Sequence, residues 1–215
     1  MASPSEIHGI IEPRDVALRM RMDYSHGIKD HTTKTIEEIS SLCAKVIRPS
    51  FELDAFLKDV VDLISKLFNI SYLTIAVWDH KLGVYAYRAF AGFEKETAET
   101  YKRISYTKAD VADEKTYPSY EISKQTRLYL SEEHPYAEGE ESSYARPGLL
   151  GMKRRSLTDS LEGDYMCVYF SGQDNEVLGW IEASGTRLRK LPEATIIKWM
   201  ELIACIVGSV ILLKR

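Results

Sequence analysis

The sequence predicts an α+β fold in which helices cover one face of an antiparallel sheet. Helical patterns of apolar residues lie near both ends of the chain, and strand patterns lie between them. The clearest strand patterns follow one another across short turn sequences, which is typical of antiparallel hairpins. No strand–helix–strand unit repeats, so a doubly wound parallel sheet is not expected. The predicted sheet has about five or six strands.

The first part of the chain is predicted to form a lead and one helix. Residues 1–13 show no apolar period, which indicates a flexible lead. A helix is expected over 30–47, with Thr32 or Thr33 as its N-cap, and Pro49 ends it. Its apolar stripe is narrow, so two interpretations stand. The helix pairs with another helix across a dimer, or it is a solvated helix that touches its own domain.

The second helix is expected to pack on the sheet. Asp54 is its expected N-cap, and Asn69 is its expected end. Between them the apolar residues form a stripe so wide that another surface has to cover it. The stripe consists of Phe56, Leu57, Val60, Val61, Ile64, Leu67 and Phe68.

Aromatic and β-branched residues predict the strands. One hairpin turns at Gly83 and a second turns between Gly172 and Asn175. A short charged helix is expected over 93–104, between the two hairpins. The predicted strands are 72–78, 84–90, 126–131, 152–158, 165–170 and 177–183.

The last helix is predicted to follow Pro192, whose missing N–H suits a first helical turn. Apolar residues then recur at helical spacing over 196–211. The longest apolar run, 202–213, is shorter than the roughly 20 residues that a membrane span needs. No membrane span is therefore expected.

Length and charge limit the kinds of protein that fit. The chain has 215 residues, 45% hydrophobic and 28% charged, with a net charge of −4. These values fit one globular domain, predicted over 50–215, behind a separate segment of 1–49. The net charge gives no electrostatic reason to expect nucleic acid as a partner. Two basic patches, 153–155 and 187–190, are interpreted as solvated loop charge.

The cysteines and histidines predict neither a disulfide framework nor a metal site. Cys43, Cys167 and Cys205 are widely spaced in apolar segments, so buried reduced thiols and a cytoplasmic location are expected. His134 has no His or Cys partner at metal-ligand spacing. No cofactor is identified. No catalytic motif is present, so the chain is not expected to be an enzyme.

Three segments over 51–213 carry a resemblance to a known family. The first is LDAFLKDVVDLISKLFN running into YLTIAVWD, and the second is the strand end AFAGF. The third is VLGWIEASGTRLRKLPEATIIKWMELIACIVGSVI, in which a V-L-G-x-I strand precedes an apolar helix. By these segments the chain resembles the GAF domain family.

The resemblance implies a regulatory sensory domain in signal transduction. Its first and last helices would share one face of the sheet and mediate a homodimer. The other face, closed by short helices and loops, would hold a small-molecule ligand.

Strand alternation then assigns side chains to the two faces. The set expected to meet the helices is Leu73, Ile75, Val77, Val177, Gly179, Ile181 and Ala183. The set expected to face the ligand is Tyr72, Thr74, Ala76, Trp78, Val84, Ala86, Arg88, Phe90, Leu178, Trp180 and Glu182.

Charged and tyrosine side chains supply the candidate binding groups. Arg88 and Glu182 would bind an ionic ligand or pair with each other, or else one or both reach solvent at the sheet rim. Tyrosines of the middle segment suit a ligand lid and equally suit the cover of an ordinary core. The predicted ligand-binding residues are Thr74, Trp78, Arg88, Tyr129, Tyr144, Trp180 and Glu182.

Two other functions remain open. One is a ligand-free dimerisation or protein-interaction module whose pocket is filled by its own side chains. The other is a redox enzyme similar to the free methionine sulfoxide reductases, which use cysteines in the pocket. No cysteine lies in the middle loops of this sequence, which disfavours the redox activity.

Overall fold

The computed structural model describes Met20, Met22, 30–133 and 144–214. The chain divides into two compact units, Met1–Glu37 and Glu38–Arg215. The predicted flexible lead over 1–13 lies outside the described residues.

Helix α1 (His31–Val46) begins one or two residues before its predicted cap. The side chain of Asp30 accepts a hydrogen bond of 2.7 Å from the backbone N–H of Thr33. The prediction of Thr32 or Thr33 as the N-cap is therefore wrong, because the carboxylate just before them already caps the helix.

The second unit is built on one sheet of seven strands, more than predicted. In chain order they are β1 (Ile70–Asp79), β2 (Val84–Ala91), β3 (Ser105–Tyr106), β4 (Tyr120–Glu121), β5 (Thr126–Tyr129), β6 (Tyr165–Ser171) and β7 (Val177–Thr186). Their order in the sheet is β3-β2-β1-β7-β6-β5-β4, and every neighbouring pair is antiparallel. The additional strands, β3 and β4, have two residues each and fall in the polar middle segment, where no pattern marks them.

The remaining α-helices of the described residues are α2 (Leu53–Phe68), α3 (Lys95–Tyr101), α4 (Lys108–Val111) and α5 (Ala194–Leu213). Helix α2 ends at Asn69 as predicted, with a left-handed φ of 52°. Its predicted cap is wrong. Asp54 lies inside the first turn, and Glu52 is the N-cap.

One face of the sheet carries the main core. The apolar stripes of α2 and α5 pack there against β1, β6 and β7, as the two predicted stripes required. Leu73, Ile75 and Val77 of β1 lie in this core, which confirms the predicted face. Ile39 and Leu42 of α1 also join it.

Two β-bulges reverse the alternation on the neighbouring strands. On β2, Arg88 is the extra residue, since Tyr87 pairs with Ala76 and Ala89 pairs with Ile75. Tyr85 and Tyr87 consequently face away from the helices, so the predicted placement of Val84, Ala86 and Arg88 on that side is wrong.

The second bulge lies on β7. Leu178 is the extra residue, between the pairs Val177–Ser171 and Gly179–Phe170. Leu178 therefore joins the helix-side core and Val177 packs on the other side, the reverse of the prediction. Beyond the bulge, Ile181 and Ala183 face the helices and Trp180 faces away from them, as predicted.

The strand predicted over 152–158 is absent from the described structure. The carboxylate of Asp159 accepts hydrogen bonds from the backbone N–H groups of Arg155 and Ser156, at 3.0 and 2.9 Å. These local bonds form a turn that competes with strand pairing. A single bridge, from Asp159 to Lys190, remains.

Helix α5 has 20 residues, and 18 consecutive residues within it have a mean hydropathy of 2.2, so by length and composition alone it could cross a membrane. The apolar part of this helix is therefore longer than the run 202–213 on which the prediction of no membrane span rests. Core helices pass the same test, and Met200, Ile203, Ala204 and Val207 of α5 are completely buried against the sheet. The expectation of no membrane span stays a prediction.

Candidate functional site

The face of the sheet opposite the helices encloses a cavity of about 230 Å³. Its floor is formed by side chains of β2, β5, β6 and β7. Its roof is formed by α3, α4 and the loops beside them, together with 144–146 and 161–164. The volume lies just below the range of about 300–1,000 Å³ typical of drug-sized ligands, so a small metabolite fits best.

Aromatic rings make most of the cavity wall. Tyr87, Tyr106 and Trp180 contact one another with ring centroids 6.0–6.3 Å apart and at angles of 61–86°. On the other side of the floor, the ring of Tyr129 stacks on that of Tyr165 at 4.4 Å. Burial raises the pKa of Tyr129 to about 12, so its hydroxyl stays protonated.

Glu182 is the buried acid of the cavity floor. Its side chain is buried, and Tyr87 donates a hydrogen bond of 2.6 Å from its hydroxyl to Oε2. Burial raises the pKa of the Glu182 carboxyl because the charged form loses its hydration, while the Tyr87 hydroxyl and the Trp180 indole oppose the rise.

Replacing Glu182 by Gln should stabilise the domain more as the pH rises. A raised pKa means that the folded state holds the proton more tightly than the unfolded chain. Stability is therefore lost between the ordinary pKa of 4.5 and the raised value. We expect the melting temperature of Glu182→Gln minus that of the wild type to grow from pH 4.5 to pH 8.

Thermal unfolding at several pH values measures this difference. Glu38→Gln is the control, because Glu38 lies on α1, is part-exposed and makes a long 3.8 Å ion pair with Lys66. The melting temperature of Glu38→Gln minus that of the wild type should not rise with pH in the same way. A melting-temperature difference for Glu182→Gln that stays constant with pH would contradict a raised pKa for Glu182.

Two buried polar atoms beside Glu182 make no hydrogen bond within the described residues. They are Trp180 Nε1 and Thr74 Oγ1. Thr74 lies directly across from Glu182 in the β1–β7 pairing. The indole N–H of Trp180 acts on the Glu182 carboxyl without reaching hydrogen-bond geometry. Such atoms normally have partners, so this corner of the site has unused hydrogen-bonding capacity.

An ion pair holds one edge of the roof. The backbone N–H and Nε of Arg146 donate to the two carboxylate oxygens of Glu162, at 2.8 and 2.7 Å. The Glu162 side chain is only 6% exposed, so the ion pair is largely shielded from solvent. It joins the two roof segments, 144–146 and 161–164.

A second network fixes the same roof from behind. Arg154 donates to both oxygens of Asp164 at 2.9–3.0 Å, and to both oxygens of Glu132 at 2.9 Å. Backbone N–H groups of Ser131 and Leu161 also donate to Asp164, whose side chain is 1% exposed. The interpretation of 153–155 as solvated loop charge is therefore wrong for Arg154.

The structure brings four of the predicted ligand-binding residues to the cavity and leaves three elsewhere. The residues that line it are Tyr129, Tyr144, Trp180 and Glu182. Thr74 is buried beneath the lining, and Trp78 packs on Tyr85 near the strand end, under Lys108. Their role in binding stays a prediction.

Arg88 is turned away from the cavity. The bulge directs it toward α2, where it donates to Asp54 at 2.6 and 2.9 Å, partly exposed to solvent. Its predicted pocket position is wrong because alternation fails at a bulge. The alternative of a charge reaching solvent at the rim holds for Arg88, whereas Glu182 is buried.

Several lining residues were not predicted. Tyr87 was not among the predicted residues, because the set of β2 placed on the ligand side was that of Arg88, and Arg146, Glu162 and Asp164 belong to loops without a period. Of the tyrosines of the middle segment, Tyr101, Tyr106 and Tyr117 also line the cavity, while Tyr120 is exposed. Tyr136 and His134 lie outside the described residues.

The cysteines are only partly as predicted. All three are free thiols, but Cys43 and Cys205 are exposed, because they lie on the sides of α1 and α5 that face an open groove. Cys167 is buried and lines the cavity, and burial raises its pKa well above the usual value. Within the described residues no group of three or more His, Cys, Asp and Glu side chains is arranged to hold a metal ion.

Helices α2 and α5 thus cover one face of the sheet, and the roofed cavity lies on the other. The chain has the GAF-domain fold. A solved GAF domain of a phosphoenolpyruvate-protein phosphotransferase from Acinetobacter matches with a TM-score of 0.53 and 12% identity, over 82% of this chain and 92% of that one. The GAF domain of nlh2 from A. aeolicus, solved in an inactive state, gives 0.54 and 11%, over 86% and 100%.

A free methionine-R-sulfoxide reductase from Neisseria meningitidis, solved in complex with its substrate, also matches. Its TM-score is 0.51 and its identity 13%, over 86% of this chain and 92% of that one. No family model and no curated protein sequence matches the chain. The likeness is therefore one of fold.

Proposed function

We propose that the chain is a regulatory GAF-like sensory domain that binds a small ligand in the cavity. The observation that carries the proposal is a roofed, partly open aromatic cavity whose floor holds a buried acid, Glu182, beside the unpartnered N–H of Trp180. Apolar walls with a few convergent polar groups are typical of metabolite sites. A module filled by its own side chains would have no such volume.

The fold supplies a route by which binding would be transmitted. Trp180 and Glu182 contact the cavity, while Ile181 and Ala183 of the same strand belong to the core that α5 completes. A ligand that shifts β7 would therefore shift the packing of α5 on the opposite face. The likeness to a GAF domain of a phosphotransferase supports a role in signal transduction.

A thermal-shift screen of metabolites on the full chain tests the proposal. A ligand present at 100 times its Kd should stabilise the domain by about 2.7 kcal/mol. Ala145→Trp should abolish the shift, because Ala145 lines the cavity from the roof. Ala194→Trp is the control, since Ala194 is exposed at the start of α5. A screen without any shift would contradict the proposal.

We also propose a homodimer through α1 and α5. The two helices form an open apolar groove lined by Cys43, Val46, Ile47, Cys205, Ile206, Ser209 and Val210. Ile47 is 85% exposed and extends the apolar surface of this groove, and contiguous apolar surface of this kind is typical of protein–protein interfaces.

Ile47→Glu should raise the dimer dissociation constant at least about tenfold, since a buried carboxylate would have no counter-charge. Sedimentation equilibrium measures the constant. Leu82→Glu is the control, because Leu82 is 71% exposed in the β1–β2 turn. A wild-type chain that is monomeric at high concentration would sink this part of the proposal.

A redox function is the second candidate, and the observation in its favour is that Cys167 lines the cavity. Its raised pKa keeps the thiol protonated, whereas the thiolate is the reactive form. We therefore favour sensing, in the reducing environment of the cytoplasm. Cys167→Ser should leave ligand binding intact, and a loss of turnover on methionine sulfoxide in that variant would instead favour the enzyme.

A further inference from the structure

We infer that the cavity takes a small organic cation, an ammonium-type group with a hydrogen-bond acceptor beside it. Glu182 and the surrounding aromatic rings would hold the charge, and Trp180 would hold the acceptor. The inference rests on the proposed function and deepens it, because it names the chemical class of the ligand.

The charges of the described lining disfavour an anion. Four acids line the cavity, namely Asp110, Glu162, Asp164 and Glu182, against one base, Arg146. The guanidinium of Arg146 is already paired with Glu162 at 2.7 Å. A phosphate or carboxylate ligand would thus meet the carboxyl of Glu182, and the one base of the described lining is already engaged.

Glu182 differs from the other buried acids. Glu162 and Asp164 each have an arginine within 2.9 Å. In the described part of the chain, the polar groups next to the Glu182 carboxyl are the Tyr87 hydroxyl and the Trp180 indole. No base there forms an ion pair with it. A buried carboxyl without a counter-charge is unfavourable, and an entering cation removes that cost.

The rings around Glu182 suit the same charge. Tyr87, Tyr106 and Trp180 all line the cavity and are set steeply to one another, so the three rings bound the site in different planes. An ammonium group over such faces is attracted by their quadrupoles, more strongly where water is excluded. Tyr87 contributes twice, since its hydroxyl also orients the Glu182 carboxyl.

The indole N–H of Trp180 is an independent observation. Trp180 is 4% exposed and lines the cavity, yet its Nε1 has no acceptor within the described residues. The nearby Glu182 carboxyl does not reach hydrogen-bond geometry with it, so an acceptor atom of the ligand, or water, would satisfy this N–H donor. A ligand oxygen close to the cationic centre would satisfy it.

Three probes of one shape and different charge test the inference on the full chain. They are choline, its neutral isostere 3,3-dimethyl-1-butanol and the anion 3,3-dimethylbutyrate. By calorimetric titration we expect choline to bind at least tenfold more tightly than the alcohol, and the anion to bind most weakly. Glu182→Gln should weaken the binding of choline at least tenfold and change the affinity for the alcohol less than twofold. Glu38→Gln should change neither affinity.

Trp180→Phe gives a second variant if Glu182→Gln does not fold. This variant keeps a ring and removes the N–H. Because choline and the alcohol both carry a hydroxyl that would accept from this N–H, their affinities should fall by a similar factor. In the wild type, choline should shift the indole resonance of Trp180.

The inference is overturned if the alcohol or the anion binds as tightly as choline, or if none of the three binds. The proposed function fails separately, when the wider metabolite screen also finds no ligand. Binding of a neutral or anionic metabolite would support the proposed sensory function and contradict the inference that the ligand is a cation.

Discussion

Replacing Gly179 by alanine will destabilise the domain by at least about 3 kcal/mol, the upper end of the usual cost of overpacking. A Cβ at this position would lie 2.1 Å from the carbonyl oxygen of Ala76 and 2.6 Å from Cζ of Phe170. Neither group can retreat, because Ala76 is in a central strand and Phe170 is completely buried.

Chemical denaturation of the purified variant measures the loss. Gly148→Ala is the matched control, since a Cβ there would meet no atom within 4 Å. It should change the free energy of unfolding by less than about 0.5 kcal/mol. Equal stability of the two variants would show that β7 does not pass so close to β1.

The position also matters for the site. Gly179 adjoins the bulge at Leu178 and directly precedes Trp180, which lines the cavity together with Glu182. A Gly179→Ala variant that still folds should therefore bind ligand less well than Gly148→Ala. The same variant therefore tests both the close packing of β1, β6 and β7 and the cavity face of β7.

Arg154→Met will destabilise the domain by about 3–5 kcal/mol, the usual cost of leaving a buried charge without its partner. Asp164 is 1% exposed and takes two hydrogen bonds from Arg154. Methionine preserves much of the side-chain volume, so the loss reports the charge rather than a cavity. Two backbone N–H groups that remain on Asp164 favour the lower end of the range.

Arg155→Met is the control for this change. Arg155 is the exposed neighbour of Arg154, and its loss should cost less than about 0.5 kcal/mol. Urea denaturation compares the two variants. A similar small effect from both would mean that the network does not stabilise the roof.

The fold was largely predictable because its strongest patterns lie where burial is most complete. The stripes of α2 and α5 and the alternation of β1 require one helix-covered face, and the structure has it. The middle segment was not predictable, since β3, β4 and α4 have two to four residues each. Elements that short are specified by their contacts with the sheet rather than by a period of their own.

The site was predictable only in part, for two physical reasons. Alternation correctly placed Trp180 and Glu182, but it failed at Arg88 and Leu178, where a bulge adds one residue and reverses the face. The roof residues, such as Arg146, are fixed by long-range ion pairs that no local pattern reveals. The two charged residues inside the β patterns differ in kind: Arg88 lies at a bulge, and Glu182 is a buried acid.

The indole ¹H–¹⁵N spectrum of the full chain tests the central claim most directly. The chain has three tryptophans, and Trp180→Phe assigns the resonance of the one in the cavity. Trp199 is an internal control, because it packs against the core on the opposite face of the sheet. The spectrum is recorded during titration with pools of small metabolites.

A ligand in the cavity predicts that at least one compound moves the Trp180 resonance saturably while that of Trp199 stays in place. The new partner of Nε1 would cause the shift. Movement of both resonances together, or a Trp180 resonance that no compound moves, would contradict the claim that this cavity is a ligand site.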